Sequence, residues 1–338
     1  MRALRMVCSR SIEKSSIRTS TMLGRSGTCG AFRGCSGPVP LSAGTHRVRF
    51  VFTPFRSARE EAERVIQDEH IDCDLARCGA LTLAAKPGHM RGLEESRRFL
   101  RDRLGRETEL LGAAELGREI ASPRYFGGLL DRSGMALHPA KYVQGLARAA
   151  RNAGARLLER CEVHKVERQS NGFALTTTQG VVRSREVLAA TDGYTSGATT
   201  ALPRRVVPIG SYQMATRPLD PALAARLVPG RRVYSDTKNL LYYFRLSPDL
   251  RMVFGGRASF TPAGIAHSAA VLRKGMREVF PDLAGVKIEY AWSGKVGYPM
   301  DHLPHVGRHE GIYYSLGYCG HGVALASYLG SRMADVIS

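Results

Sequence analysis

The 338-residue sequence predicts an α/β fold that contains an inserted antiparallel α+β region. Three observations carry this prediction. The carboxyl end has the pattern strand, glycine turn, helix, and residues 138–202 have the pattern helix, strand, hairpin, strand. Residues 203–291 instead hold closely spaced strand patterns separated by turn signals, which is typical of antiparallel pairing.

The composition indicates a globular protein with a sizeable core, because 43% of the residues are hydrophobic. No apolar run approaches the length of a membrane span, so we expect a soluble protein without a membrane partner. The formal net charge of +19 would by itself suit nucleic acid or an anionic surface. Most basic residues are Arg scattered through helical patterns such as Arg97–Arg103, so a solvated face explains them better and no nucleic acid is expected.

Cysteine usage indicates a reducing compartment. The seven cysteines form no C-x-x-C pair and show no zinc-finger spacing. Reduced thiols in a cytoplasmic protein are the explanation that fits best.

Residues 54–137 show helix and strand patterns in turn. Ser57 is a candidate N-cap, with Glu60 three residues later. Ser122-Pro123 ends a later helical pattern, because proline disfavours helix in the residue before it. The predicted helices are 57–68, 88–104 and 113–120, and the predicted strands are 78–84, 126–130 and 135–137.

Residues 138–202 form the helix, strand and hairpin unit. His138-Pro139 opens a helix and Gly154 follows its end, in keeping with the preference for Pro at helix starts and Gly after helix ends. Asn171-Gly172 predicts a two-residue hairpin turn. The predicted helix is 140–152, and the predicted strands are 155–158, 161–168, 173–178, 181–183 and 187–191.

Residues 203–291 read as a strand-rich unit. Ser247-Pro248-Asp249 is the clearest of the turn signals that separate its strands. Pro281 ends the single predicted helix, 267–280. The predicted strands are 206–207, 211–216, 232–235, 240–246 and 252–256.

The carboxyl end organises the rest of the chain. Tyr313–Leu316 predicts a short buried strand. Gly317, Gly320 and Gly322 then permit a sharp turn beside a flat ligand. From Val323 the apolar residues recur every three or four positions, which predicts a helix whose amino end directs N–H groups at an anion or a polarised carbonyl. A strand-turn-helix that simply closes a core is the alternative.

Three motifs carry a resemblance to a known family. They are W-x-G at Trp292, D-x-x-P-x-x-G at Asp301 and G-x-x-G-H-G at Gly317. Together they resemble the carboxyl end of the D-amino-acid oxidase family of flavoproteins, and within it the gamma-glutamylputrescine oxidoreductases. The resemblance runs from about Phe55 to the carboxyl end. It implies a Rossmann-like FAD-binding domain made of 53–78, 138–202 and 292–338, and an antiparallel-sheet substrate domain made of 79–137 and 203–291.

The resemblance also implies where FAD would lie. It assigns the backbone at Val163 to adenine and the strand end at Thr191, Asp192 and Gly193 to the phosphate and ribose region. The flavin would border the glycine turn and the helix start. The residues of that turn are Gly317, Gly320, His321, Gly322 and Val323. Without the resemblance, these positions are ordinary core and loop.

The implied reaction is oxidation of the C–N bond of an amine such as gamma-glutamylputrescine, with oxygen as acceptor and peroxide as product. Lys295 stands where amino-acid-oxidising relatives place an Arg, which favours an amine substrate; a surface lysine is the alternative. Arg257 would bind a carboxylate of the substrate that is remote from the reacting amine, or would simply be an Arg in a turn. Three tyrosines would wall an amine pocket or simply pack on strands. They are Tyr243, Tyr298 and Tyr318.

Histidines near the carboxyl end invite a metal hypothesis, but no metal is predicted, because no helix brings two of them onto one face. They are His302, His305, His309 and His321, with Asp301 nearby.

Residues 1–52 form an Arg- and Ser-rich arm unlike the family. Residues 1–49 hold eight Arg and one Lys against a single acid, Glu13. The family begins with a strand, a G-x-G-x-x-G turn and a helix, and that first βαβ unit is absent or degraded here. A transit peptide has this composition, but a shifted reading frame or miscalled start is the preferred explanation. The alternative function is therefore a non-catalytic remnant that cannot retain FAD.

Overall fold

The computed structural model describes residues 21–23, 58–256 and 264–338. The predicted arm 1–52 lies outside the described residues except for strand β1, Thr21–Leu23. Arg257, predicted to bind a carboxylate, and the Ser57 cap also lie outside them.

Seven α-helices lie in the described residues, and most of them begin and end close to the predicted limits. They are α1, 58–68; α2, His89–Leu104; α3, Ala113–Leu116; α4, Pro139–Asn152; α5, Pro221–Leu227; α6, Ile265–Val279; and α7, Gly322–Ile337.

Of the fifteen described strands after β1, one (Met135–Leu137) pairs with β1 and fourteen make up three further sheets. They are β2, Ala80–Leu83; β3, Glu109–Gly112; β4, Gly127–Asp131; β5, Met135–Leu137; β6, Val163–Gln169; β7, Gly172–Thr177; β8, Gly180–Ser184; β9, Leu188–Ala189; β10, Val207–Thr216; β11, Val233–Asp236; β12, Tyr242–Leu246; β13, Met252–Gly256; β14, Ile288–Tyr298; β15, His305–His309; and β16, Ile312–Leu316.

An eight-stranded sheet dominates the structure, in the order β14-β10-β13-β12-β11-β2-β4-β3. All neighbouring pairs are antiparallel except β2 and β11, which are parallel. The sheet is therefore mixed, whereas the sequence predicted a purely antiparallel one. Strands from two distant parts of the chain meet at this pair, so no hairpin fixes their relative direction.

One face of the large sheet carries the main core. Phe244 lies at the centre, with ring centroids of Tyr234, Phe254 and Phe280 at 5.2, 5.5 and 5.2 Å. The buried residues of α6 pack into the same cluster, and those of α5 join it. Burial of large aromatic rings here anchors the sheet, because each removes a large apolar area from water.

Two smaller sheets form the rest. One has the order β15-β16-β9 and the other the order β6-β7-β8. Strand β16 runs parallel to β9, as expected for strands linked through helices. A cluster joins the two sheets and contains Val163, Phe173, Leu175 and Ile312. The parallel pair, the mixed sheet and the packed helices together make an α/β fold, as predicted.

Helices α4 and α7 pack against one another beside the smaller sheets. The Tyr142 hydroxyl and the Ser327 hydroxyl form a 2.7 Å hydrogen bond. Val323 and Ala324 of α7 pack against the cluster that contains Tyr142 and Ile71. The amino ends of two helices are thereby fixed relative to each other.

Several element predictions were wrong. Helix α5 was missed, although Asp220-Pro221 is a start signal: the Asp220 carboxylate accepts hydrogen bonds of 3.0 and 3.1 Å from the N–H groups of Ala222 and Leu223. Residues 155–158 form no strand, because Ala155 N–H closes the end of α4 with a 2.9 Å bond to Ala150. Helix α3 ends at Leu116, and the two predicted strands at 206–216 are the single strand β10.

The predicted boundary between residues 291 and 292 falls inside β14, so the division into two domains stays a prediction. Across the described ranges, every helix is too short or too polar to span a bilayer.

Candidate active site

The free edge of β14 is where the sheets meet. β14 is the end strand of the large sheet, so its outward backbone groups need partners from elsewhere. Lys295 N–H donates to the Tyr194 hydroxyl at 3.1 Å, and Gly297 N–H donates to the Asp192 carboxylate at 3.2 Å. Gly297 C=O accepts a 3.1 Å bond from Cys319 N–H. The segment after β9 and the turn after β16 are thus docked side by side on one edge.

The Asp192 carboxylate ties these segments together. Its Oδ1 accepts from Gly317 N–H at 2.7 Å and from Tyr318 N–H at 3.3 Å, while its Oδ2 accepts from Gly297. Asp192 has a positive φ of 42°, a conformation that Asp tolerates better than most residues. Asp192, which was predicted to contact FAD, therefore lies beside the predicted turn. Both of its carboxylate oxygens accept hydrogen bonds from backbone N–H groups of the protein.

Gly193 permits this close docking. A Cβ at Gly193 would lie 2.9 Å from Gly297 N and from the carbonyl oxygen of Lys295, so a larger residue would push the two segments apart. Thr191 and Thr195 hydroxyls bond at 2.8 Å and brace the loop.

The turn from β16 to α7 presents an open helix start. Gly320 has a φ of 91°, a conformation that suits glycine. His321 occupies the N-cap of α7, and no side chain caps the first turn. A Cβ at Gly322 would lie 3.4 Å from the Tyr318 ring. Gly322, Val323 and Ala324 therefore direct N–H groups of the first helical turn and a positive helix end at the space beside this turn.

Two of the three predicted tyrosines, Tyr298 and Tyr318, lie beside the glycine turn and make different hydrogen bonds. The Tyr298 hydroxyl donates to Cys319 C=O at 3.2 Å, so Tyr298 links β14 to the glycine turn. The Tyr318 hydroxyl bonds to the Ser315 hydroxyl at 2.9 Å and to Ser315 C=O at 3.1 Å. Burial raises the pKa of Tyr318 to about 12. Tyr318 is a neutral packing residue next to the turn.

The face of the large sheet opposite the aromatic core carries the other candidate residues. We call it the Tyr243 face; because residues directly opposite each other in paired strands share a face, its members follow from the register. They are Ser211, Gln213, Tyr243, Gly255 and Trp292. The Tyr243 ring lies across Gly255, where any Cβ would collide with it. Its hydroxyl reaches the Ser211 hydroxyl at 2.6 Å.

Gln213 was missed by the sequence analysis. Its Oε1 is buried and has no hydrogen-bond partner among the described residues. A buried, unpaired acceptor costs free energy, so it is typical of a position that a ligand completes. The signal in the sequence was weak: Gln213 is a polar residue in the middle of a predicted strand.

The remaining predicted residues lie elsewhere. Lys295 is exposed, its Nζ lies 5.7 Å from the Tyr194 ring centroid, and strand alternation puts it on the face of β14 opposite Trp292. The structure therefore does not bring Lys295 together with Tyr243. Val163 is buried in β6, opposite Thr177.

The histidines make polar and ring contacts near the turn. His305 lies 3.0 Å from the Asp301 carboxylate, and the His302 ring meets the Tyr298 ring edge at 5.7 Å. Within the part of the chain that the structure describes, no three His, Cys, Asp or Glu side chains are grouped for a metal ion.

A glycine turn leads into an uncapped helix beside the large sheet, and this arrangement in an α/β fold suits a dinucleotide cofactor. Residues 33–336 match the family described as FAD dependent oxidoreductase (DAO), a match that extends further towards the amino terminus than Phe55. The chain belongs to this family, whose cofactor is FAD, as the resemblance predicted.

Individual proteins agree with the family match. The chain is 32% identical over 278 residues to the probable oxidoreductase OrdL of Haemophilus influenzae, covering 80% of this chain and 63% of that protein. It is 32% identical over 274 residues to the gamma-glutamylputrescine oxidoreductase of Escherichia coli, covering 80% and 64%. The chain thus spans slightly less than two thirds of the length of these relatives. Glycine oxidase of Geobacillus kaustophilus has a similar structure, with a TM-score of 0.74, 22% identity and coverage of 93% and 82%.

The described residues fit the flavin part of FAD. The uncapped start of α7 supplies N–H donors for the carbonyl oxygens of a flavin. Gln213 supplies an acceptor without a partner on the facing sheet. A Cβ at Gly320 would meet only the Tyr298 hydroxyl, at 3.9 Å, so the glycine turn leaves room for a flat ring system close to its backbone. FAD is therefore compatible with the residues that would border it.

Proposed function

We propose that this chain oxidises the C–N bond of an amine, with gamma-glutamylputrescine as the substrate type, oxygen as electron acceptor and peroxide as product. The proposal rests on one observation above all. The Tyr243 face and the open start of α7 are held together by Tyr298, whose hydroxyl bonds to Cys319 C=O at 3.2 Å in the glycine turn. The similarity to the Escherichia coli gamma-glutamylputrescine oxidoreductase supports the choice of substrate.

The reacting carbon of the amine would sit between the Tyr243 face and the cofactor. FAD, when bound, supplies the two-electron oxidation and the reaction with oxygen. The positive start of α7 would stabilise negative charge at the end of the ring system nearest Gly322.

Tyr243 would orient the substrate. Its hydroxyl is held 2.6 Å from the Ser211 hydroxyl, and its ring is fixed across Gly255. A fixed aromatic wall suits the methylene chain of an amine, while the hydroxyl pair offers both a donor and an acceptor. Trp292 borders the same space and is buried, so it helps to keep water away.

Lys295 does not carry this proposal. Because its ammonium group lies over Tyr194 on the far side of β14, the preference for an amine depends on the Tyr243 face and on the relatives. A role for Lys295 in substrate binding stays a prediction.

A cytoplasmic location belongs to the same proposal. Cys73, Cys78 and Cys161 form no disulfide within the described residues. Burial raises the pKa of Cys73 and of Cys78, which keeps both thiols protonated and unreactive. Reduced, buried thiols suit the cytoplasm.

The test is peroxide release with FAD supplied in excess. Gamma-glutamylputrescine, putrescine, glycine, sarcosine and D-alanine are compared at equal concentration, with imine-derived aldehyde measured alongside. We expect the highest kcat/KM with gamma-glutamylputrescine. A preference for glycine or D-alanine would contradict the proposal.

The second candidate, a non-catalytic remnant, has one structural observation in its favour. Strand β9 ends its sheet, paired with β16 on one side, and no other described strand pairs with it. An open strand edge beside the expected cofactor site is a poor support for FAD. Absence of peroxide with every amine, at FAD concentrations that saturate the Escherichia coli relative, would favour this candidate.

A further inference from the structure

Arg245 is a buried charged residue that has no role in the proposed reaction. It lies on β12, two residues beyond Tyr243, and strand alternation puts both side chains on the same face. Only 6% of Arg245 is exposed. Two residues of strand correspond to about 7 Å, so Tyr243 and Arg245 are neighbours on this face of the sheet.

The guanidinium has few partners. One nitrogen donates to Leu137 C=O at 3.0 Å, and Nε is buried without an acceptor. Among the described residues, no Asp or Glu forms an ion pair with it. A buried Arg normally has a carboxylate partner, because an unpaired charge in the interior costs several kcal/mol.

Nearby groups do not supply the missing negative charge. Asp74 acts on Arg245 through space, but its carboxylate is bound to the Lys141 ammonium at 2.6 Å. Cys78 is also close, yet burial raises the pKa of its thiol, so it carries no charge at neutral pH. Burial lowers the pKa of Arg245, which is the direction expected when nearby negative charge does not offset the loss of water around a cation.

A second positive element points to the same place. Leu137, which accepts from Arg245, directly precedes His138, the N-cap of the 14-residue helix α4. The amino end of a helix carries a partial positive charge. Burial lowers the pKa of His138, and its Nδ1 accepts from Lys141 N–H at 3.4 Å, so the ring is neutral with its proton on Nε2. Arg245 and the positive end of α4 therefore lie near each other, and Asp74, the acidic group that acts on both, is already paired with Lys141.

We propose that Arg245, beside the amino end of α4, binds a carboxylate at the end of the substrate remote from the oxidised amine. This inference rests on the proposed function for the substrate's identity, but not for the presence of an anion site. A gamma-glutamyl group carries such a carboxylate at the far end of its chain, whereas putrescine has none. Arg245 would thereby select gamma-glutamylated amines over free diamines, by a charge-assisted contact that unmodified diamines cannot make.

The binding arm of the experiment uses Trp292 as reporter. It is the single tryptophan of the chain and packs with Ala215 and Val253, the latter directly opposite Arg245. Glutarate, its neutral diamide and inorganic phosphate are titrated while Trp292 fluorescence is followed. We expect glutarate to bind, the diamide not to bind, and Arg245→Met to weaken glutarate binding at least tenfold, as a charged hydrogen bond of about 1.5–3 kcal/mol implies. Arg245→Lys should lie between, since Lys lacks the planar fork.

The kinetic arm separates this inference from the proposed function. With FAD in excess, Arg245→Met should raise KM for gamma-glutamylputrescine at least about tenfold, whereas kcat/KM for putrescine should not fall, because putrescine has no carboxylate for Arg245 to bind. Arg103→Met, an exposed Arg in the last turn of α2, is the matched control and should change neither value. If no amine is oxidised, the proposed function fails, and the glutarate titration still decides the role of Arg245.

Three outcomes would overturn the inference. The first is equal glutarate affinity in Arg245→Met and the unmodified chain. The second is phosphate binding that is tighter than glutarate binding and depends on Arg245, because the site would then serve a phosphate. If Arg245→Met does not fold by circular dichroism, the decision passes to Arg245→Lys, and unchanged affinity and KM in that variant would be the third.

Discussion

The Asp192 carboxylate accepts a 2.7 Å hydrogen bond from the backbone N–H of Gly317, across 125 positions of sequence. Two further N–H groups, of Tyr318 and Gly297, donate to the same side chain at 3.3 and 3.2 Å. A single carboxylate thus fixes the glycine turn, the segment after β9 and the edge of the large sheet. The geometry of the whole candidate site depends on this contact.

Replacing Asp192 should therefore destabilise the protein. Asp192→Ala removes three hydrogen bonds to a charged acceptor and leaves backbone donors unpaired, so we expect a loss of about 2–4 kcal/mol in the free energy of unfolding. Urea denaturation followed by circular dichroism measures it. Asp335→Ala is the control, because Asp335 makes an exposed ion pair with Arg332 at 3.3 Å, worth about 0–1 kcal/mol. Equal losses in the two variants would show that Asp192 is not a clamp.

Two glycines of α7 allow a matched test of the flavin position. Gly322 begins the helix beside Tyr318, whereas a Cβ at Gly330 would meet nothing within 4 Å. Gly322→Leu should weaken the binding of added FAD, because its side chain fills the space beside the helix start. Gly330→Leu should bind added FAD as the unmodified chain does and gain slightly in stability, about 0.5–1 kcal/mol, since Gly is a poor helix former. Fluorescence quenching during FAD titration gives both affinities, and an unchanged affinity in Gly322→Leu would show that the flavin does not border this helix start.

Replacing Gln213 should raise the free energy of unfolding but lower peroxide release. Gln213→Met keeps the shape of the side chain but removes the buried Oε1 that has no partner. Without ligands we expect a gain of about 1 kcal/mol in the free energy of unfolding, because an unsatisfied acceptor disappears. Peroxide release from gamma-glutamylputrescine should fall, because the acceptor offered to the bound ligands is gone. Gln67→Met, an exposed change in α1, should alter neither quantity.

A destabilised Gln213→Met protein without ligands would contradict this expectation. It would mean that the amide supports the fold and is not kept for a ligand.

His138 should make stability depend on pH. Burial, the first cause, lowers its pKa below the ordinary value, with the charges of Lys141 and Arg245 adding to the effect. The unfolded chain then binds more protons than the folded one between the two pKa values. The stabilisation is complete above the unfolded pKa near 6.5 and is lost as pH falls through the lower, folded value. Unfolding free energies between about pH 5 and 8 should therefore fall towards the acid side.

The matched variant is His138→Asn, which preserves an N-cap acceptor for Lys141 N–H but does not titrate. As pH is lowered, the unfolding free energy of the unmodified chain should fall relative to that of this variant. A difference that stays constant across the range would show that His138 has the same pKa in both states.

The sequence predicted the elements better than the site. Glycine spacing, apolar periodicity and cap signals located α4, α7 and β16 within one or two residues, because these are local properties of the chain. Gln213 and Arg245 could not be found in this way. These two residues are candidates because buried atoms of their side chains lack hydrogen-bond partners among the described residues, which a sequence does not show. Only the pairing of β10, β12 and β13 shows that they share a face. Lys295 was a candidate on family position alone, and its direction depends on the register of β14.

Affinity for FAD is the prediction that separates the two candidate functions. The pyrophosphate of FAD carries two negative charges, which the family holds with N–H groups of a G-x-G-x-x-G turn at a helix start. Residues 1–57 contain no such motif, and Arg side chains, which have many rotamers, attract phosphate without fixing its position. Strand β9 is also paired on one side only within the described sheet.

We therefore expect the purified chain to be colourless and poorly soluble, and to bind added FAD weakly. Fluorescence quenching of FAD during titration gives the affinity, with the Escherichia coli gamma-glutamylputrescine oxidoreductase measured in parallel as the reference. Weak binding that still supports peroxide release at high FAD concentration would agree with the proposed oxidase. No binding at any concentration would leave the remnant as the better description. A soluble, yellow preparation with FAD at one molecule per chain would instead show that residues 1–57 supply a phosphate site of a kind that the glycine motif does not describe.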